Sequence, residues 1–244
     1  MLRLITIPIS HYCEKARWAL QRAGLEYRED RHVQGIHRIV ARRAGGGQTV
    51  PVLVTPDGTL SESEDILRWA DKGLPPERWL FPAEDPEVER LSRRFDARLG
   101  PHGRRFMYMK MLGHPELVRR FNNQGVPRWE DRATKVGWPL ATRFLRGALD
   151  IRPGVEVEDE AVVWEDFDHV AELLSDGRTH LTGERFTAAD LTFAALAAAV
   201  VVPPVYGVVL PQPGQLPTEM AEFVERTRAH PAGRYALEQF AQRG

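Results

Sequence analysis

Cysteine is almost missing from this sequence: Cys13 is the only one. A single thiol excludes an internal disulfide and a cysteine zinc cluster, so stability must come from packing, and a reducing compartment is implied. Lysine is scarce as well, confined to Lys15, Lys72, Lys110 and Lys135, so arginine carries nearly all the basic charge. That bias fits a GC-rich bacterial coding sequence and says little about chemistry. Neither sign of charge is in excess, with 33 basic and 34 acidic residues and a net charge of -1. A general electrostatic grip on nucleic acid is therefore not expected.

Long apolar runs are equally rare. Leu191 to Leu210 carries no charge, but Pro203-Pro204 interrupts it, and a helix from Leu191 to Val202 would reach only about 18 Å, short of the roughly 30 Å hydrocarbon core. The run reads as a fully buried helix of an all-helical domain. Leu4 to Ile9 is too brief for a signal-peptide core and is followed at once by polar residues. A cytoplasmic protein with no membrane partner is expected.

What the chain does have is 244 residues, 43% of them hydrophobic, enough for one large or two ordinary globular domains. Leu2 to Ile9 is β-rich, and Pro51 to Val54 is separated from Thr59-Leu60 by a Pro-Asp-Gly turn, which reads as a hairpin. Tyr12, Ala16, Ala19, Leu20 and Ala23 fall at helical spacing before Gly24; a second helix or loop covers Val33 to Arg43, and a third helix begins near Ser63. The order strand, helix, strand, helix, hairpin, helix describes a small α/β unit with a mixed sheet. Gly45-Gly46-Gly47 lacks the Gly-Lys-Ser/Thr that a phosphate loop requires. Residues 77–86 are punctuated by proline and read as a linker. Beyond it, helices are expected over Glu87–Leu112, Trp129–Leu149, Asp159–Ser175, Ala188–Val202, Thr218–Ala229 and Ala232–Arg243.

Four stretches carry a resemblance: residues 10–20 (SHYCEKARWAL), 49–53 (TVPVL), 60–66 (LSESEDI) and 186–190 (FTAAD). In this order and near this spacing they resemble the cytosolic glutathione S-transferase family, in a bacterial, serine-type form, over the whole chain. The resemblance implies an α/β thioredoxin-like N-terminal domain (1–76), the linker, and an all-α C-terminal domain (87–244). It also implies glutathione as co-substrate, a small hydrophobic electrophile as second substrate, a detoxifying transferase activity, no metal, and a homodimer.

Ser10 stands where the first strand gives way to the first helix, so its hydroxyl and the unpaired backbone N–H groups converge on one point that suits an anion. The resemblance makes that anion the glutathione thiolate. Lowering a thiol pKa by about 2 units takes roughly 2.7 kcal/mol; one hydrogen bond to a charged acceptor supplies about 1.5 to 3 and a helix N-terminus about 0.3 to 1. Helix capping is the plainer role for the same residue. Cys13 and Tyr12 are the competing sulfur contacts, but both fall on the apolar stripe of the helix, which favours an inert buried thiol and a packed ring. In related redox proteins the reactive cysteine occupies the position held here by Ser10.

By the same resemblance, Pro51 follows a cis bond and Val50 pairs its main chain with the cysteinyl part of glutathione. Gln48 or Thr49 holds the glycyl carboxylate, Ser63 the γ-glutamyl carboxylate, and Glu62 faces the ammonium group. Ser61 to Glu64 also fits a helix capping box, as does Thr187 to Asp190 with Phe186 set for a hydrophobic staple on Leu191. Phe106, Tyr108 and Met109 lie in a Met- and aromatic-rich stretch that could wall an electrophile pocket between the domains or simply pack a core; Trp138 and Tyr206 are further candidates. Two other functions compete with transferase activity: a non-catalytic binding or docking protein on the same fold, and a thiol reductase acting through Cys13.

Overall fold

The computed structural model describes residues 1–243. Its sheet has four strands, β1 (Leu2–Thr6), β2 (Tyr27–Arg31), β3 (Val52–Thr55) and β4 (Gly58–Leu60), in the order β2-β1-β3-β4. β1 runs parallel to β2, with Thr6 opposite Arg31, and antiparallel to β3, with Ile5 opposite Val52. β3 and β4 form the expected hairpin. Its turn is closed by Thr55 Oγ1, which donates to the Gly58 carbonyl at 2.9 Å and accepts from the Asp57 N–H at 3.2 Å. Gly58 has φ 141°, a value that a side chain would disfavour.

Three helices belong with this sheet: α1 (His11–Arg22), α2 (Ile36–Arg43) and α3 (Ser63–Asp71). Leu4, Ala16, Leu20, Leu53 and Ile66 form a core on one face of the sheet, while Ile5, Val52 and Ala41 pack on the other. The alternation of Leu4 and Ile5 to opposite faces is the period of two that a strand imposes.

The remaining helices are α4 (Pro86–Ala97), α5 (Leu99–Met111), α6 (Pro115–Asn122), α7 (Arg128–Val136), α8 (Trp138–Ala148), α9 (Val155–Leu174), α10 (Ala188–Val201), α11 (Thr218–Ala229) and α12 (Pro231–Ala241). Two expected long helices are each divided. Pro101 has no N–H for the Ala97 carbonyl, and the chain breaks at Arg98 between α4 and α5. Pro139 likewise denies the Lys135 carbonyl a donor, and Gly137 makes the corner between α7 and α8. Helix α6, which the sequence reading did not anticipate, starts on Pro115 at its first position. The first strand is shorter than expected, because Ile7 to Ile9 turn and the Ser10 N–H closes on the Ile7 carbonyl at 3.1 Å.

By contacts the chain separates into two compact units, and each combines two stretches: 1–70 with 111–152, and 71–110 with 153–244. The first holds the sheet, α1 to α3 and α6 to α8. The second is all-helical and centres on α10, whose residues are nearly all buried; Phe95, Phe167 and Phe193 pair their rings there at 5.2 and 5.7 Å. The expected Thr187 capping box is present, and the Asp190 carboxylate also accepts from the Leu181 N–H at 2.7 Å and the Tyr235 hydroxyl at 2.5 Å. The box expected at Ser61 to Glu64 places the helix start one residue too early. Helix α3 starts later, with the Glu62 carbonyl accepting its first bond, and the Glu64 carboxylate is taken by Arg68 at 2.7 and 2.9 Å. Among the described residues no helix is long and apolar enough to cross a membrane.

Candidate functional site

Strand direction decides what meets at one end of the sheet. Thr6 ends β1 and leads through Ile7–Ile9 to Ser10; β2 runs parallel and delivers His32 to the same end. β3 runs the other way with Val52 opposite Ile5, so Val50-Pro51 enters the sheet at this end. β4 is antiparallel to β3 with Leu60 opposite Leu53, so the chain leaves it for Glu62 and Ser63 at this end too. Two helix N-termini, those of α1 and α3, open here, where the first-turn N–H groups lie outside the helical ladder. The sequence candidates Ser10, Gln48, Thr49, Val50, Pro51, Glu62 and Ser63 are thereby brought to one edge by topology.

Ser10 is the N-cap of α1, with extended backbone at φ −65° and ψ 122°, and is half-buried. Its Oγ accepts from the Cys13 N–H at a long 3.4 Å. The hydroxyl proton remains able to donate to a second group. The Val50–Pro51 peptide is cis. Pro51 and Ser63 are buried, Val50 half-buried, and Gln48, Thr49 and Glu62 exposed, so polar side chains face solvent around a fixed main-chain edge.

Cys13 is fully buried, and burial pushes its thiol up to about 11 against the opposing pull of the Arg17 charge and the Ser10 hydrogen bond. It is a protonated core thiol at neutral pH, which speaks against a reductase working through it. Tyr12 departs from the core role read from its spacing: it is only half-buried, its ring tilted against His11 at 4.7 Å between centroids.

A residue that sequence reasoning passed over underpins the turn carrying Ser10. Arg17 is buried and donates to Glu14 at 2.9 Å, to Glu29 at 2.8 Å, and to the Pro8 carbonyl at 2.9 Å. Glu29 also accepts from Thr6 Oγ1 at 2.7 Å and from Arg31 at 2.7 and 2.9 Å. Burial alone would raise the Glu29 carboxyl, but Arg17, Arg31 and Thr6 together hold it below the ordinary 4.5. One buried guanidinium thus ties the end of β1, the turn and β2 together. The signal in the sequence was Glu14 and Arg17 at helical i, i+3 spacing.

His37 is buried at the start of α2, and its Nδ1 accepts from the Gly35 N–H at 3.1 Å. Burial pulls its pKa down to about 4, opposed in part by bonding to the backbone of Val33 and Gln48. The imidazole is neutral, and its link to Gln48 reaches the stretch expected to hold the glycyl carboxylate.

The candidates for an electrophile wall lie in the second unit. Phe106 is buried with its ring 4.4 Å from that of Phe223, a core contact, whereas Tyr108 and Met109 are half-buried. Tyr206 rests on Phe240 at 5.9 Å, and Trp138, in the first unit, is half-buried at the start of α8. Among the described residues no three His, Cys, Asp or Glu side chains cluster as metal ligands.

Residues 4–78 match the family described as glutathione S-transferase, N-terminal domain. No curated protein matches the chain. Solved structures do, at low identity and over nearly their whole length. A glutathione transferase from Phanerochaete chrysosporium aligns with TM-score 0.64 at 16% identity, covering 100% of this chain and 97% of that one. Glutathione S-transferase I from maize, in complex with an atrazine glutathione conjugate, aligns with TM-score 0.61 at 15% identity, covering 99% and 92%. A glutathione S-transferase from Methylobacillus flagellatus with glutathione bound aligns with TM-score 0.55 at 15% identity, covering 97% and 98%. The fold is therefore that of the glutathione S-transferases, a thioredoxin-like domain followed by helices.

Proposed function

We propose that this protein is a glutathione S-transferase that ionises the glutathione thiol at Ser10 and adds it to an electrophilic carbon of an apolar compound. The observation that carries the reading is the convergence of Ser10, the cis Val50–Pro51 bond and Ser63 at one end of the sheet, beneath two helix N-termini. The main chain of Val50 offers its N–H and carbonyl to the cysteinyl unit; Ser63 and the start of α3 take the γ-glutamyl carboxylate, with Glu62 toward its ammonium group. Gln48 or Thr49 takes the glycyl carboxylate.

In the reaction the thiol proton passes to solvent, and the Ser10 hydroxyl and first-turn N–H groups of α1 hold the resulting thiolate. Its lone pair forms the carbon–sulfur bond as the leaving group departs with its electron pair. Ser10 keeps its own proton throughout. Tyr108 and Met109 are the candidates for contact with the electrophile, while Phe106, the third residue of that stretch, packs its ring on Phe223. A homodimer in the cytoplasm with a detoxifying role belongs to the same proposal.

The test is the pH dependence of kcat/KM with an activated aryl halide for the wild type and Ser10→Ala. The expected result is a kinetic thiol pKa raised by about 2 units, and a rate at neutral pH reduced by one to two orders of magnitude. An unchanged profile with intact glutathione binding would remove Ser10 from the chemistry.

A further inference from the structure

Helices α7 and α8 carry a surface that the glutathione chemistry does not use. Three large apolar side chains project from them into solvent, Trp129 at 60% exposed, Val136 at 86% and Leu140 at 75%, while Phe144, 40% exposed, lies with its ring 4.9 Å from the Arg38 guanidinium. Trp129 and Val136 are seven residues apart on α7, and Leu140 and Phe144 four apart on α8, so on each helix the pair shares a face. The opposite sides are occupied otherwise. Leu145 is buried, and the fully buried Glu130 accepts from His32 at 2.7 Å and from the Val33 N–H at 2.9 Å.

The charges of the pair are one-sided. Arg128, Arg132, Lys135, Arg143 and Arg146 are all exposed. The only acids within the two helices are Glu130, which is buried, and Asp131, which is engaged by Arg119 at 3.0 Å and Asn123 at 2.9 Å. A chain of near-zero net charge thus places five exposed cations on the same two helices as three outward apolar groups.

We propose that the α7–α8 pair is a docking surface for anionic lipid headgroups, with Trp129, Val136 and Leu140 entering the interfacial layer and the arginines reaching phosphate. Cationic helices with exposed Trp and aliphatic groups suit the membrane surface, where long basic side chains keep their charge at the headgroups while their stems lie in apolar surroundings. A second copy fits less well. A two-fold contact through this face would set its five cations against their own counterparts, while Glu130 is buried and Asp131 is already engaged by Arg119. Nucleic acid would satisfy the cations and could stack on Trp129, but it would leave Val136 and Leu140 in water. Peripheral contact of this kind needs no membrane-spanning helix, and it departs from the expectation of no membrane partner.

The experiment is co-sedimentation of the full chain with phosphatidylcholine vesicles, with and without phosphatidylglycerol. Binding at least tenfold stronger to the anionic vesicles is expected, lost near 0.5 M salt, where the screening length is roughly 4 Å. Lys135→Gln and Arg143→Gln should each weaken it about fivefold, and Val136→Gln with Leu140→Gln should abolish it, with glutathione conjugation unchanged in all four substitutions. Equal partitioning to both vesicle types would overturn the proposal. So would anionic binding that the apolar double variant leaves intact and heparin displaces, which indicates a general polyanion site. Concentration-dependent self-association in lipid-free solution that the same double variant removes would assign the face to a second copy instead.

Discussion

Glu130 and His32, ninety-eight residues apart in sequence, meet at 2.7 Å with the carboxylate fully buried. The second oxygen of Glu130 receives the Val33 N–H at 2.9 Å. Replacing Glu130 with Ala strands a buried donor, which costs about 1–3 kcal/mol for the amide alone and more with the imidazole included. Glu130→Gln keeps an acceptor and should lose less. Urea unfolding measures the difference, and amide exchange at Val33 should accelerate in the Ala variant first.

Cys13 should be inert in the folded protein. With its thiol buried and pushed up to about 11, alkylation by iodoacetamide at neutral pH should be negligible until denaturant is added. Cys13→Ala should keep conjugating activity within about twofold while losing roughly 1 kcal/mol of stability from the small void. Rapid native labelling, or activity that disappears with the thiol, would restore the reductase reading.

His37 should make stability fall as pH drops toward 4. Its folded pKa is near 4 against an ordinary 6.5, so between those values the unfolded chain takes up a proton that the native state excludes. The contribution is fully present above pH 6.5 and declines below it, by at most about 3 kcal/mol at 1.36 kcal/mol per unit. Glu29, held below 4.5, adds its loss only in more acid solution. Denaturant midpoints from about pH 7 to about pH 5 should slope downward in the wild type and flatten in His37→Gln.

Gly233 has no room for a methyl group. A Cβ there would stand 1.8 Å from the Thr227 carbonyl oxygen and 2.7 Å from its carbon, both backbone atoms. Gly233→Ala must therefore push α12 off the end of α11, at about 3 kcal/mol or more. A thermal midpoint unchanged from wild type would show that this junction yields easily.

Much of the fold was legible because its signals are local. The Pro-Asp-Gly turn, the Thr187 box and the uncharged run ending at Pro203 each predict their element from neighbouring residues, and the strand, turn and cap at Ser10 follow from a few positions. The interruptions at Pro101 and Pro139 were equally local, yet a continuous apolar spacing on both sides concealed them. Arg17, His37 and Glu130 were out of reach for another reason. Each looks like an ordinary surface residue in sequence, and only the tertiary fold supplies Glu29, the Gln48 backbone or His32 as a partner. Burial, not residue type, gives these side chains their importance.

The division of the chain into interleaved stretches has a consequence for inheritance. Residues 1–70 share their compact unit with 111–152, so the sheet takes part of its support from helices encoded after a long intervening segment. An exchange between relatives with its crossover near residue 80 would bring a foreign α7 beneath His32 and Val33. Such a hybrid keeps both parental folds on paper, but it keeps its stability best where the incoming helix carries an acceptor for the Val33 N–H at the position of Glu130. Heredity is thus constrained by one buried acid across the stretch 71–110 that separates the two parts of this unit.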